Sequence, residues 1–108
     1  MKYDVPIYTW TKALTAAAGA TKVRDPAAGF KTVVGLLALS VSADCTLDIY
    51  WSSTNDATTQ IIHLPMIAGA VLFVQLNSKF VGATDQALYI AASAGTVTGT
   101  LSGDETKA

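Results

Sequence analysis

The sequence predicts an all-β chain: an antiparallel β-sandwich, jelly-roll-like, with an extended N-terminal arm. Three observations carry that expectation. Between Thr32 and Thr100 short apolar runs recur, many of them alternating with Thr or Ser, which is the period-2 signature of half-buried strands. Each run is closed by small turn residues, at a spacing of about ten residues per strand and turn, the interval that sandwiches and jelly rolls show. The runs also contain almost no charge. A chain of 108 residues is the size of one domain with one core. The expected division is an arm over residues 1–10, a sandwich over 11–103 and a flexible tail over 104–108.

The elements follow in order. Residues 1–10, MKYDVPIYTW, place Tyr3, Val5, Ile7, Tyr8 and Trp10 beside Pro6, too apolar a set for a freely solvated tail. Such a segment is either an edge strand on its own domain or an arm docked on a neighbouring subunit. Residues 11–23 are Ala-rich enough for a short helix, but Gly19 and the flanking Thr residues favour strand, turn and strand. Residues 24–29, with Pro26 and Gly29, read as a loop. The run from Lys31 to Ser42 is apolar on both faces and is expected to be covered on both over part of its length. Ala43, Asp44 and Cys45 then read as the turn of a hairpin into a strand where Leu47, Ile49 and Trp51 alternate with Thr46, Asp48 and Tyr50.

A polar loop, residues 52–59, is built from turn formers. Beyond it a strand over 60–64 stops at Pro65, and Gly69 marks a further turn. Residues 71–76 form a two-faced strand, with Leu72, Val74 and Leu76 opposite Val71, Phe73 and Gln75. Residues 77–85 read as a loop and 86–92 as another strand. Ser93, Ala94 and Gly95 turn the chain into a last strand, with Val97, Gly99 and Leu101 facing inward and Thr96, Thr98 and Thr100 outward.

Composition then narrows the classes of function. Hydrophobic residues make up 51% of the chain and charged residues 14%, well under the roughly 25% of an average soluble domain. Much of the surface therefore falls to Thr, Ser, Ala and apolar groups, and with a net charge of −1 little repulsion keeps copies apart. That is the composition of a protein in lasting contact with other protein. Seven basic residues offset by eight acidic ones make no phosphate-neutralising surface, so nucleic acid is not an expected partner. Gly35, Ser40, Ser42 and Asp44 interrupt the best apolar stretch, so no membrane span is expected, and the N-terminus lacks the apolar core of a signal peptide. Synthesis inside a cell, without a membrane anchor, is the expectation.

No reaction chemistry is legible. Cys45 is the single cysteine and reads as a small core residue. His63 is the single histidine and reads as a surface or interface residue rather than a metal ligand. The aspartates do not fall in a calcium-loop pattern, and no Gly-rich phosphate cradle or Gly-x-Ser-x-Gly elbow occurs. The chain is expected to be no enzyme and to need no cofactor. Among the aromatics, Trp51 belongs with Leu47 and Ile49 in the core. Tyr50, on the face of Asp48 and Thr46, is the better candidate for a contact residue, and Tyr89 is ambiguous.

The stretch from Phe30 through Trp51, with its TLDIYW strand, the Leu64–Pro65 turn, and the run GATDQALYIAASAGTVTGTLSGDE together resemble small virion proteins of tailed bacteriophages, in particular capsid decoration (cement) proteins. The likeness is one of texture and length over about the last three quarters of the chain. It implies a sandwich or jelly-roll protomer, commonly a homotrimer, bound to the outside of the phage head and bridging major capsid protein subunits. It would equally suit a tail, neck or fibre-base protein of a virion. The competing class is a carbohydrate-binding module, with Tyr50, Tyr89 and the loop over residues 52–59 as its site. On the first reading the contact residues are Tyr3, Val5, Ile7, Tyr8, Trp10 and Tyr50.

Overall fold

A computed structural model describes residues 6–107, the side chains of residues 6–8 and 77–79 excepted. Tyr3 and Val5 lie outside the described residues. Six strands account for most of the rest: β1 (Pro6–Arg24), β2 (Phe30–Val41), β3 (Cys45–Trp51), β4 (Gln60–Met66), β5 (Val71–Val81) and β6 (Leu88–Lys107). All pairings are antiparallel, and no helix occurs among the described residues.

β6 is the axis of the sheet. Along one side it pairs with β1 from Pro6↔Thr106 to Arg24↔Leu88. Along the other it pairs first with β2, from Phe30↔Lys107 to Val41↔Val97, and then with β3, from Leu47↔Ala92 to Trp51↔Leu88. β2 and β3 therefore run in the same direction, end to end. The hairpin expected at Ala43–Cys45 is not formed, and the chain steps forward there instead of reversing.

The step is possible because side chains fill the broken ladder. Ser42 Oγ accepts from Thr96 N at 2.8 Å, Ser93 Oγ from Thr46 N at 2.8 Å, and Asp44 Oδ1 from Ala68 N at 2.8 Å. At the surface of the step, three short polar side chains at one level of the sheet stand in for carbonyls that the broken ladder does not supply. β4 and β5 repeat the arrangement one strand further out, pairing with β3 and β2 respectively and joined by a step at residues 67–70.

All the long strands bend at this level. A straight 20-residue strand would span roughly 66 Å at 3.3 Å per residue, whereas the longest dimension of the molecule is 47 Å. The buried positions of β6 change phase across the bend, from Leu88, Ile90 and Ala92 to Val97, Leu101 and Glu105. In β1 the register shifts between Ala17 and Gly19, so the Ala-rich segment is a strand with an irregularity rather than a helix. Its ladder with β6 outweighs the helix propensity of alanine. Gly95 takes a φ of +72°, and a Cβ there would lie 2.8 Å from Ser42 Oγ.

Bending brings the two ends of the sheet together around one core. Arg24, opposite Leu88 at one end, reaches Glu105 near the other at 2.7 Å. Gly82, just past β5, lies so close to Trp51 at the end of β3 that a Cβ would sit 2.9 Å from the indole. The result is a curled antiparallel sheet enclosing Trp10, Leu14, Val34, Leu37, Leu39, Leu47, Ile49, Trp51, Leu88, Ile90, Val97 and Leu101, among others. The double coverage expected of β2 is present at its start, where Thr32, Val33 and Val34 are all buried.

The C-terminal end departs from expectation, and residues 6–10 follow the edge-strand alternative of the two expected for them. Residues 6–10 are the first part of β1 on this chain's own sheet, and Trp10 is buried there, its Nε1 donating to the Asp104 carbonyl at 3.0 Å. The residues expected to fray as a tail, from Asp104 to Lys107, complete β6 between β1 and β2. Glu105 holds them: its carboxylate is buried and accepts from both Arg24 and the Ala27 N–H.

Candidate functional site

Two surfaces stand out from the Thr- and Ala-rich remainder. The first is polar and aromatic, on the outer face of the half of the sheet built from β3, β4 and the adjoining parts of β1 and β6. Alternation along β3 sends Leu47, Ile49 and Trp51 into the core and Asp48 and Tyr50 outward. Register then aligns Lys22, Tyr89, Tyr50 and Gln60 in a row across four strands, and sets Asp48 opposite His63. Tyr50 and Tyr89 stack with ring centroids 5.6 Å apart and planes 16° from parallel.

The loop over residues 52–59 folds back over this face. It is held by Asp56, whose Oδ1 accepts from Thr58 N at 2.8 Å and from the Thr58 hydroxyl at 2.5 Å. Those two bonds keep the Asp56 carboxyl below its ordinary pKa. From the loop, Asn55 Nδ2 donates to Asp48 Oδ2 at 2.9 Å, and Asn55 Oδ1 accepts from Gln60 Nε2 at 2.7 Å. Asp48 Oδ1 meets His63 Nδ1 at 2.5 Å. Four planar polar side chains, His63, Asp48, Asn55 and Gln60, are thus linked edge to edge.

Tyr50 was expected to be exposed as a contact residue, and it is buried. It does lie on the outer face, but it is 1% exposed. Burial, with Tyr89 and Asp48 as neighbours, pushes its phenol above the ordinary pKa. At the rim of the row, Lys22 donates to Asp25 at 2.9 Å, and this bond raises its pKa.

The second surface is apolar. In the strand order β4-β3-β6-β2-β5, β4 and β5 each have one neighbour, so their outer sides form a continuous open edge. Along it Ile67, Val71 and Phe73 are 73%, 69% and 68% exposed, and Val81 and Leu64 are partly so. The reading of β5 as two-faced was correct in alternation, with Leu76 buried and Leu72 and Val74 packed on the core. Among the described residues nothing covers the other face, which carries Val71 and Phe73. The signal is in the sequence: Val71 and Phe73 share the face opposite Leu72, Val74 and Leu76.

Of the residues expected to make contacts, Trp10 and Tyr50 are buried in this chain, Ile7 and Tyr8 lie in β1 with side chains outside the description, and Tyr3 and Val5 lie outside it altogether. Cys45 is partly buried at the start of β3. Among the described residues no three His, Cys, Asp or Glu side chains come together as a metal site, and no helix is long and apolar enough to cross a membrane. Comparison of the chain with protein-family models, with curated proteins and with solved structures found no match.

Proposed function

We propose that this chain is a non-enzymatic structural protein of a bacteriophage virion, a capsid decoration protein seated on the outside of the head. In this reading the curled sheet acts as a jelly-roll-like sandwich, and the open β4–β5 edge is where it meets other protein. One observation carries the proposal: Val71 and Phe73 stand exposed on β5, a strand with one paired side, and Ile67 stands exposed in the step that leads into it. Long apolar edges are templates for pairing with another chain, and monomeric proteins blunt them with charge, proline or cover. Here β5 carries the single charge of Lys79 in VLFVQLNSKFV.

The low overall charge supports the same reading, as does the resemblance of the strand and loop texture to decoration proteins. The open edge on one side of the sheet and β1 on the other are different surfaces. A head-to-tail contact between them whose rotation closes after three copies gives a homotrimer that bridges major capsid protein subunits.

The test uses phage heads prepared without this protein. Wild-type chain is added, and bound protein is measured after sedimentation of the particles, beside a Val71→Lys/Phe73→Lys variant with unchanged circular dichroism. Saturable binding by the wild type and its loss in the variant support the proposal. Failure of the wild type to bind heads, or equal binding by the variant, overturns it.

A further inference from the structure

We infer that the outer face around Asp48 is a binding site for neutral saccharides, separate from the assembly edge. The face is half built for such a ligand already. His63, Asp48, Asn55 and Gln60 are fixed by hydrogen bonds to one another, and each link leaves a defined valence facing solvent. With Nδ1 of His63 against Asp48, Nε2 is the free ring nitrogen. Asn55 Nδ2 retains a second N–H, and Gln60 Oε1 remains an acceptor. His63 and Asn55 are exposed, and Gln60 is partly so.

Donors and acceptors alternating along planar side chains match vicinal hydroxyl groups, each of which donates and accepts at once. Because the valences are held in place before binding, little side-chain entropy is lost when a ligand takes them up. Across Tyr50 from Gln60 lies the half-buried ring of Tyr89, aligned by its stack on Tyr50, which offers an apolar surface to the C–H face of a pyranose.

Charge selects the class of ligand. The Asp48 carboxylate is already engaged by His63 and Asn55, and Lys22 is engaged by Asp25. Among the described residues of the four-strand row and the Asp48 network, the one cation, Lys22, and the one carboxylate, Asp48, are thus both engaged, so a neutral ligand suits the face best. Tyr50, the residue expected to stack on a sugar, acts instead as a positioning residue: buried, it holds the Tyr89 ring through their cross-strand stack.

A shallow site of a few hydrogen bonds and one ring is weak, with a Kd of about 1 mM or above for a disaccharide. Amide chemical-shift titration of ¹⁵N-labelled protein reads that range. The probes are maltose, cellobiose, lactose and N,N′-diacetylchitobiose, each taken to about 50 mM, well past such a Kd, with sorbitol as an acyclic polyol control. Saturable shifts at residues 48, 55, 60, 63 and 89 with at least one disaccharide, and a tenfold or greater weakening in both Asn55→Ala and His63→Ala, are expected. Both substitutions are at exposed side chains, and folding is checked from the unshifted core amides. Absence of shifts with all four disaccharides, equal shifts with sorbitol, or binding unaltered in the two variants overturns the inference. The Val71→Lys/Phe73→Lys variant should bind the sugar as the wild type does, so this site and the assembly edge fail or stand separately.

Discussion

Glu105 ties the last strand to the opposite end of the sheet, and its removal should be among the most damaging single changes in the chain. Its side chain is 1% exposed, 2.7 Å from an Arg24 Nη and 3.0 Å from the Ala27 N–H. Arg24 in turn lies 5.4 Å over the Trp10 ring, and its Nε is buried without a hydrogen-bond partner. Glu105→Ala therefore strands a mostly buried guanidinium, which costs about 3–5 kcal/mol for a buried pair broken on one side. It also leaves the Ala27 N–H unpaired, about 1–3 kcal/mol if that group stays dry. The two losses share one site and do not add in full, so about 4 kcal/mol is expected. At roughly 4–8 °C per kcal/mol for a domain of this size, Tm should fall by about 15–30 °C. Thermal and urea unfolding of Glu105→Ala, Arg24→Met and the double variant give the coupling. The double variant, with both charges gone, should recover much of the loss. A Glu105→Ala cost under about 1 kcal/mol would refute the reasoning and return residues 104–107 to the status of a frayed tail.

Other outcomes follow from the same structure. Thr32 is fully buried and its hydroxyl has no hydrogen-bond partner, so Thr32→Val should leave stability unchanged or raise it by about 1 kcal/mol in urea unfolding. Trp10→Ala opens the core of this chain and should lower its own unfolding free energy by about 3–5 kcal/mol, measured on the protein alone without any partner. The Tyr50 phenol, held above its usual pKa by burial, keeps its proton in the folded state after the unfolded chain has released it. Its contribution is flat at neutral pH and reduces stability as pH climbs through the ordinary tyrosine range, so urea midpoints above pH 10 should fall less in Tyr50→Phe than in the wild type. Ultraviolet titration should show one late-ionising phenol in the wild type that Tyr50→Phe lacks.

Much of the strand pattern was legible because it is local. The alternation at Leu47, Ile49 and Trp51, and at Val97 and Leu101, states which side chains face the core, and the structure buries all five. Connectivity was not legible where it depends on distant partners. Ser42 to Cys45 carries turn residues whether the chain reverses or steps forward. The choice is made by Thr96, Ala68 and Ser93, which accept or donate across the break from elsewhere in the chain. The acidic end near Glu105 reads as a solvated tail until Arg24 is known to lie beside it. For Tyr50 the face follows from period 2, but its burial involves Tyr89 stacked on it from β6, a neighbour the local sequence does not encode. The exposed stripe of β5 is half visible in the sequence: its two apolar faces are legible, and which of them the fold covers is not.

The account rests most heavily on the open β4–β5 edge as a contact surface, and sedimentation velocity tests it directly. At micromolar concentration the wild-type chain should sediment as an oligomer, a trimer if the head-to-tail ring forms. The Val71→Lys/Phe73→Lys variant, altered at two strongly exposed positions, should keep the same β-rich circular dichroism and sediment as a monomer. A wild type that stays monomeric, or a folded variant that still assembles, contradicts the claim.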